Sequence, residues 1–165
     1  MSDIELRVRG TRYGGWTRAT VKRSIDSVSA AFRLELTEHD PTTDEPWRFD
    51  PSDPCEVLLD GETLVNGYID DVEGTLDESS HTLAIVGRDR TADLIDSSAE
   101  IEPGEWSNLT LTQLARRIAE PYGLSVSARV DVGELFPVFK LEPGESGFEA
   151  IERAARQRGV LLNAD

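Results

Sequence analysis

Val86-Gly87-Arg88-Asp89-Arg90-Thr91-Ala92-Asp93-Leu94-Ile95-Asp96-Ser97-Ser98 is the stretch on which the reading of this chain turns. It joins an acidic, β-patterned N-terminal half to a C-terminal half with helical periodicity. The alternating strand that ends here gives way to a short helix, and five charges crowd the junction: Arg88, Asp89, Arg90, Asp93 and Asp96. One reading is anion binding at a helix N-terminus, where backbone N–H groups and the helix dipole favour negative charge. The other is a structural cluster of caps and ion pairs that fixes the crossover, with arginines at a strand end pairing to helix carboxylates. No nucleophile, metal-ligand group or phosphate loop surrounds the stretch, so the structural reading is preferred and no catalytic residue is assigned.

A length of 165 residues allows one domain, or one and part of another. The charged fraction of 30% against 38% hydrophobic residues fits a globular chain. No run of about 18 apolar residues is present, so no membrane insertion is expected. Met1 to Glu5 lacks a signal sequence. The single cysteine, Cys55, excludes an internal disulfide and reads as core. Cytosolic synthesis without Sec export follows from these points.

The net charge of −15 is uneven. Residues 1–33 hold seven basic groups against three acidic, residues 34–86 hold Arg48 against fifteen acids, and residues 87–165 hold nine basic against fourteen acidic. Such a surface does not bind nucleic acid, which needs cations at the phosphates. Charge runs are usually solvation, but acids also keep nucleic acid from sticking to a passage.

Alternation defines the first half. Ile4, Leu6 and Val8 interleave with Glu5, Arg7 and Arg9; Trp16–Ser24, Phe32–Thr37, Cys55–Leu59, Thr63–Val72 and Thr82–Gly87 read as further strands. Asp60-Gly61 marks a two-residue hairpin. Gly67 marks a bulge or a close backbone approach. Residues 39–54 form a long proline-rich acidic loop, pinned by Trp47 and Phe49. Six short strands predict a small antiparallel barrel or sandwich.

In the second half, Leu111, Leu114, Ala115, Ile118, Ala119 and Tyr122 share one helix face, with a capping box from Thr110 and Gln113. A short strand is expected at 124–126. A second helix carries Phe148, Ile151, Ala154 and Ala155 behind a capping box from Ser146 and Glu149, ends at Gly159, and leads into a strand at 160–162 left unreturned, which reads as a fragment. The expected fold class is mostly β plus α/β: an antiparallel tube-like β-barrel over 1–100, then an α/β domain over 101–165, incomplete at its C-terminus.

Other motifs have bland explanations. Asp70 and Asp71 are neighbours on a strand and point to opposite faces, so they do not form an acid–base pair. His39 and His81 lack metal-spaced partners. Gly144-Glu145-Ser146-Gly147 is a helix cap rather than a nucleophile elbow. No cofactor and no metal are expected. The pattern from Thr110 to Leu124 is faintly similar to a glycan-binding LysM repeat, but Glu102 to Trp106 is poor strand material. A cell-wall glycan-binding module and a carboxylate-dependent wall hydrolase are therefore the alternatives, the hydrolase the weaker.

Taken in order, the motifs resemble the baseplate hub, or tail protein P, family of Mu-like contractile-tailed phages, over the N-terminal portion of that longer family. The carrying residues are Gly14-Gly15-Trp16, Val21 to Ile25, Ala31 to Leu34, Asn66 to Asp70, Val86-Gly87-Arg88 with Thr91 to Asp96, Leu111 to Gly123, and Gly144-Glu145-Ser146 with Ile151 to Arg156. The resemblance implies a structural protein and not an enzyme. It implies a hub protomer with a second barrel further on. Three protomers form a ring, a homotrimer joining the tail tube to the central spike beside other baseplate proteins. The resemblance extends to the base of type VI secretion spikes. It places the protein in the virion tail baseplate, assembled in the host cytoplasm of a phage or prophage. On that reading DNA passes through without specific binding, and Asp44, Asp53, Asp60, Asp70 and Asp71 are candidate lumen-facing acids. The basic groups Arg7, Arg9, Arg12, Arg18, Lys22 and Arg23 would then meet an acidic surface on a neighbouring protomer.

Overall fold

The computed structural model describes residues 3–24, 27–37, 48–76 and 81–164. It divides into two units, Met1–Asp89 and Arg90–Asp165. The division therefore falls after Asp89, not at the expected 100/101. Residues 90–100 join the second unit because Leu94 sits against Gly147, where a Cβ would strike its Cδ1, and because Ser98 bridges to Ser146.

The first unit is a seven-stranded antiparallel sheet: β1 Ile4–Val8, β2 Thr11–Tyr13, β3 Arg18–Ser24, β4 Ser27–Thr37, β5 Pro54–Leu59, β6 Glu62–Leu76 and β7 His81–Asp89. The spatial order is β2-β1-β5-β6-β7-β4-β3. One strand more than expected arises because Arg9-Gly10 closes a two-residue hairpin between Val8 and Thr11. Both residues have positive φ, 50° and 83°, as the right-handed twist of a tight hairpin requires. Asp60-Gly61 does the same at 50° and 87°, as its sequence predicts.

In hydrogen-bonding terms the sheet is open, with β2 and β3 at its two edges. It is nevertheless rolled. Seven strands laid flat would hold β2 and β3 roughly 29 Å apart at about 4.8 Å per strand spacing, yet Tyr13 and Arg18 are joined by a linker that reaches at most about 19 Å. Only a curled sheet brings its own edges that close. Trp16 fastens the linker, its Nε1–H donating to the Ile4 carbonyl at 2.8 Å, while the Thr17 N–H and hydroxyl both donate to the Glu35 carbonyl. The wall encloses one core of Leu6, Val8, Phe32, Leu34, Leu36, Val57, Val65, Ile69 and Ile85, joined by Phe49, which meets Tyr13 edge-on at 4.8 Å. Trp47 lies outside the described residues. Cys55 is buried in this core, and burial pushes its thiol up to about 12.

Gly67 behaves as expected: a Cβ there would collide with the Arg88 carbonyl. Gly87 likewise leaves room for the Phe32 ring. Between them β6 shifts register at Ile69/Asp71, with Asp70 the extra residue. The bulge breaks strict alternation, so Asp70 and Asp71 both face solvent, contrary to the opposite faces expected of them.

The second unit contains α1 Thr91–Asp96, β8 Glu105–Leu109, α2 Leu111–Ala119, β9 Phe136–Lys140 and α3 Gly147–Arg158. Both expected capping boxes are formed, and Gly123 and Gly159 end the helical segments in the left-handed region. Leu114, Ile118, Ala150 and Ala154 are fully or almost fully buried between α2 and α3. Three strand expectations are corrected. Residues 124–126 and 160–162 form no strand, though their apolar side chains lie against the core. Residues 105–109 do form one, paired with the unforeseen β9.

Replacing Gly67 by Ala is expected to destabilise the first unit by about 1–3 kcal/mol, the usual cost of forcing a methyl into filled space. A shift in the denaturation midpoint measures it, and unchanged stability would refute the close approach.

Candidate assembly surface

Among the described residues no group of three metal-ligating side chains comes together. What the first unit does build is an ordered array of charge on the outer face of its longest strands. Strand register fixes the rows. Arg18 on β3 lies opposite Glu35 on β4, Glu35 opposite Ala84 on β7, and Ala84 opposite Glu73 on β6. The next outward row is Thr20, Arg33, Val86 and Asp71. Between these rows runs a ladder of ion pairs: Arg18 Nε to Glu35 at 3.9 Å, Arg33 Nε to Glu35 at 3.0 Å, and Arg33 Nη1 to Glu73 at 2.8 Å. The hydrogen bonds that Arg33 donates to Glu73, and then to Glu35, raise its guanidinium's affinity for its proton. Each pair is exposed, so each contributes little alone; the pattern is informative through its order.

The array ends differently on its two sides. At the β3 edge stand Arg18, Lys22 and Arg23, all exposed. On the other side β6 is paired with β5 only as far as Pro54 and Tyr68. Beyond Ile69, whose N–H and carbonyl bond to Asp53 and Ser52, the strand pairs with β7 alone among the described residues. This open half carries Asp71 and Glu73.

The sequence-assigned acids fall in distinct places. Asp53 is 6% exposed, its Oδ1 accepting from Arg9 at 2.5 Å and its Oδ2 from the Asp50 N–H, which ties the root of the long loop to the β1–β2 turn. The same contacts, Asp53 first, raise the Arg9 guanidinium. Asp60 sits in its hairpin and accepts the Asp3 N–H at 2.8 Å. Asp70 pairs with Arg88 at 2.8 Å, and Asp71 accepts the Val72 N–H. Asp44 lies outside the described residues, as does His39.

Of the junction charges, Arg88 thus reaches Asp70, and Asp89 accepts from Ser29 Oγ at 3.1 Å and from the Ala30 N–H at 2.8 Å, closing the end of β4 onto β7. The Arg90 carbonyl accepts the Asp93 N–H, and the Asp93 carbonyl accepts the Ser97 N–H, inside the six-residue α1. Asp93 and Asp96 are exposed. N-terminal cations pair with carboxylates of their own unit: Arg7 with Glu56, Arg9 with Asp50 and Asp53, Arg12 with Glu5, and Arg18 weakly with Glu35. Composition showed the sign of this stretch and not its internal neutralisation, which only cross-strand register decides.

In the second unit Arg153 clamps α3 to β9. It donates twice to Glu145, at 2.7 and 2.8 Å, and once to the Lys140 carbonyl, and it stacks over Phe139 at 4.4 Å. The Arg153 bonds hold the Glu145 carboxyl below its usual value. The exposed large aliphatics Val130, Leu135, Val138 and Leu161 all belong to this unit. No helix of the described residues is long and apolar enough to cross a membrane.

Because folding lowers the Glu145 pKa, its stabilisation is complete above the ordinary glutamate range and is lost as pH falls through the lower folded value. Glu145→Gln is expected to reduce stability at neutral pH and to flatten the acid limb of a pH–stability profile followed by circular dichroism; an unchanged acid limb would refute the clamp.

Two family models match the chain in order. Residues 3–89 match the Mu phage baseplate assembly protein GpP-like N-terminal model, and residues 91–165 match the second domain of the baseplate hub protein gp44-like model. The chain is 36% identical to the baseplate hub protein gp44 of Escherichia phage Mu over 167 residues, covering 99% of this chain and 44% of that protein. It is similar to the crystal structure of the prophage MuSo2 43 kDa tail protein from Shewanella oneidensis, with TM-score 0.91 and 38% identity, over 100% of this chain and 53% of that one. A tail protein from Neisseria meningitidis MC58 shares the fold at TM-score 0.81 and 21% identity, over 99% of this chain and 48% of that one. The chain thus spans about half the length of these relatives.

Proposed function

The chain belongs to the Mu phage baseplate assembly protein GpP-like family, and from that premise we propose that it is a structural, non-enzymatic hub component of a phage or prophage tail baseplate. The observation that carries this reading is the ordered match of both folded units to hub models, 3–89 and then 91–165, supported by 36% identity across nearly the whole chain to a protein named as a baseplate hub. The physical character of the chain agrees. Among the described residues, Glu35, Asp53, Glu56, Asp70, Glu73 and Glu145 pair with arginines, and Asp60, Asp71 and Asp89 accept backbone N–H groups.

In this role the protein acts as a homotrimer, a ring set between tail tube and central spike and in contact with other baseplate proteins. DNA crosses the ring without specific binding. An acidic wall serves that passage by repelling phosphate, and Asp60, Asp70 and Asp71 are the exposed members of the assigned set. Asp53 serves instead as the buried anchor of Arg9. Arg88 and Asp89 act as a structural lock at the end of the first unit.

Electron microscopy of the whole protein tests the reading. The expected result is a threefold ring with a central channel, Asp60, Asp70 and Asp71 lying on the channel wall. A protein that stays monomeric at every concentration and salt level would overturn the ring, and acids confined to the outer rim would overturn the wall.

A further inference from the structure

We draw no further inference here: the strongest candidate, the surface patch of exposed aliphatic side chains at β9 of the second unit, Leu135 and Val138, carries nothing because nothing in the structure shows what covers it.

Discussion

The four-residue link between Tyr13 and Arg18 constrains everything else in the first unit. It ties together the two strands that stand at opposite ends of the sheet order. A chain cannot bridge seven strands of flat sheet with so few residues, so the sheet must roll until its extremes meet. Curvature then has to be accommodated along the wall, and the register shifts at Lys22/Ser24, Val57/Leu58 and Ile69/Asp71 are where it is taken up. Gly67 and Gly87 are needed for the same reason, since a rolled wall brings backbone and ring closer than any Cβ permits.

The second unit is organised on another basis. Its helices are delimited by their own sequences, with reciprocal capping at the start and a left-handed glycine after the end. Alanines at 115, 119, 150, 154 and 155 keep the packed faces thin and let the helices approach closely. The two-stranded sheet is small and depends on Arg153 and Arg158, which lay their guanidinium groups over Phe139 and Phe136. Such a sheet is not stable alone in water; the helices supply what it lacks.

Much of this was legible in the sequence where a local signal and the tertiary result coincide. Asp60-Gly61, Gly67, Thr110 with Gln113, and Ser146 with Glu149 each state a backbone geometry that the fold then uses. The failures share a cause. Arg9-Gly10 forms the same turn as Asp60-Gly61, but arginine is not a residue that announces positive φ. Asn108, at φ 56°, and Pro137 interrupt the patterns of β8 and β9. Residues 124–126 and 160–162 have apolar character without a pairing partner, and pattern alone cannot distinguish a strand from an extended segment lying on a core. The Asp70 bulge depends on a mismatch between two strands, so neither strand reveals it alone. The edge charges were visible as composition, but their order in one row needed the register of four strands at once.

The smallness of Ala84 has a consequence for the charged face. It sits in the middle of the charged row, 3% exposed, with Arg33 and Glu73 joined above it. A methyl group there leaves room over β7, and β4 and β6, which are not paired to each other in the sheet, meet across it through their side chains. Any long residue at that position would split the outer face into two isolated halves. The continuity of the charged face across β7 therefore hangs on one small side chain, and the tolerance of this strand to substitution should be narrowest where it is chemically blandest.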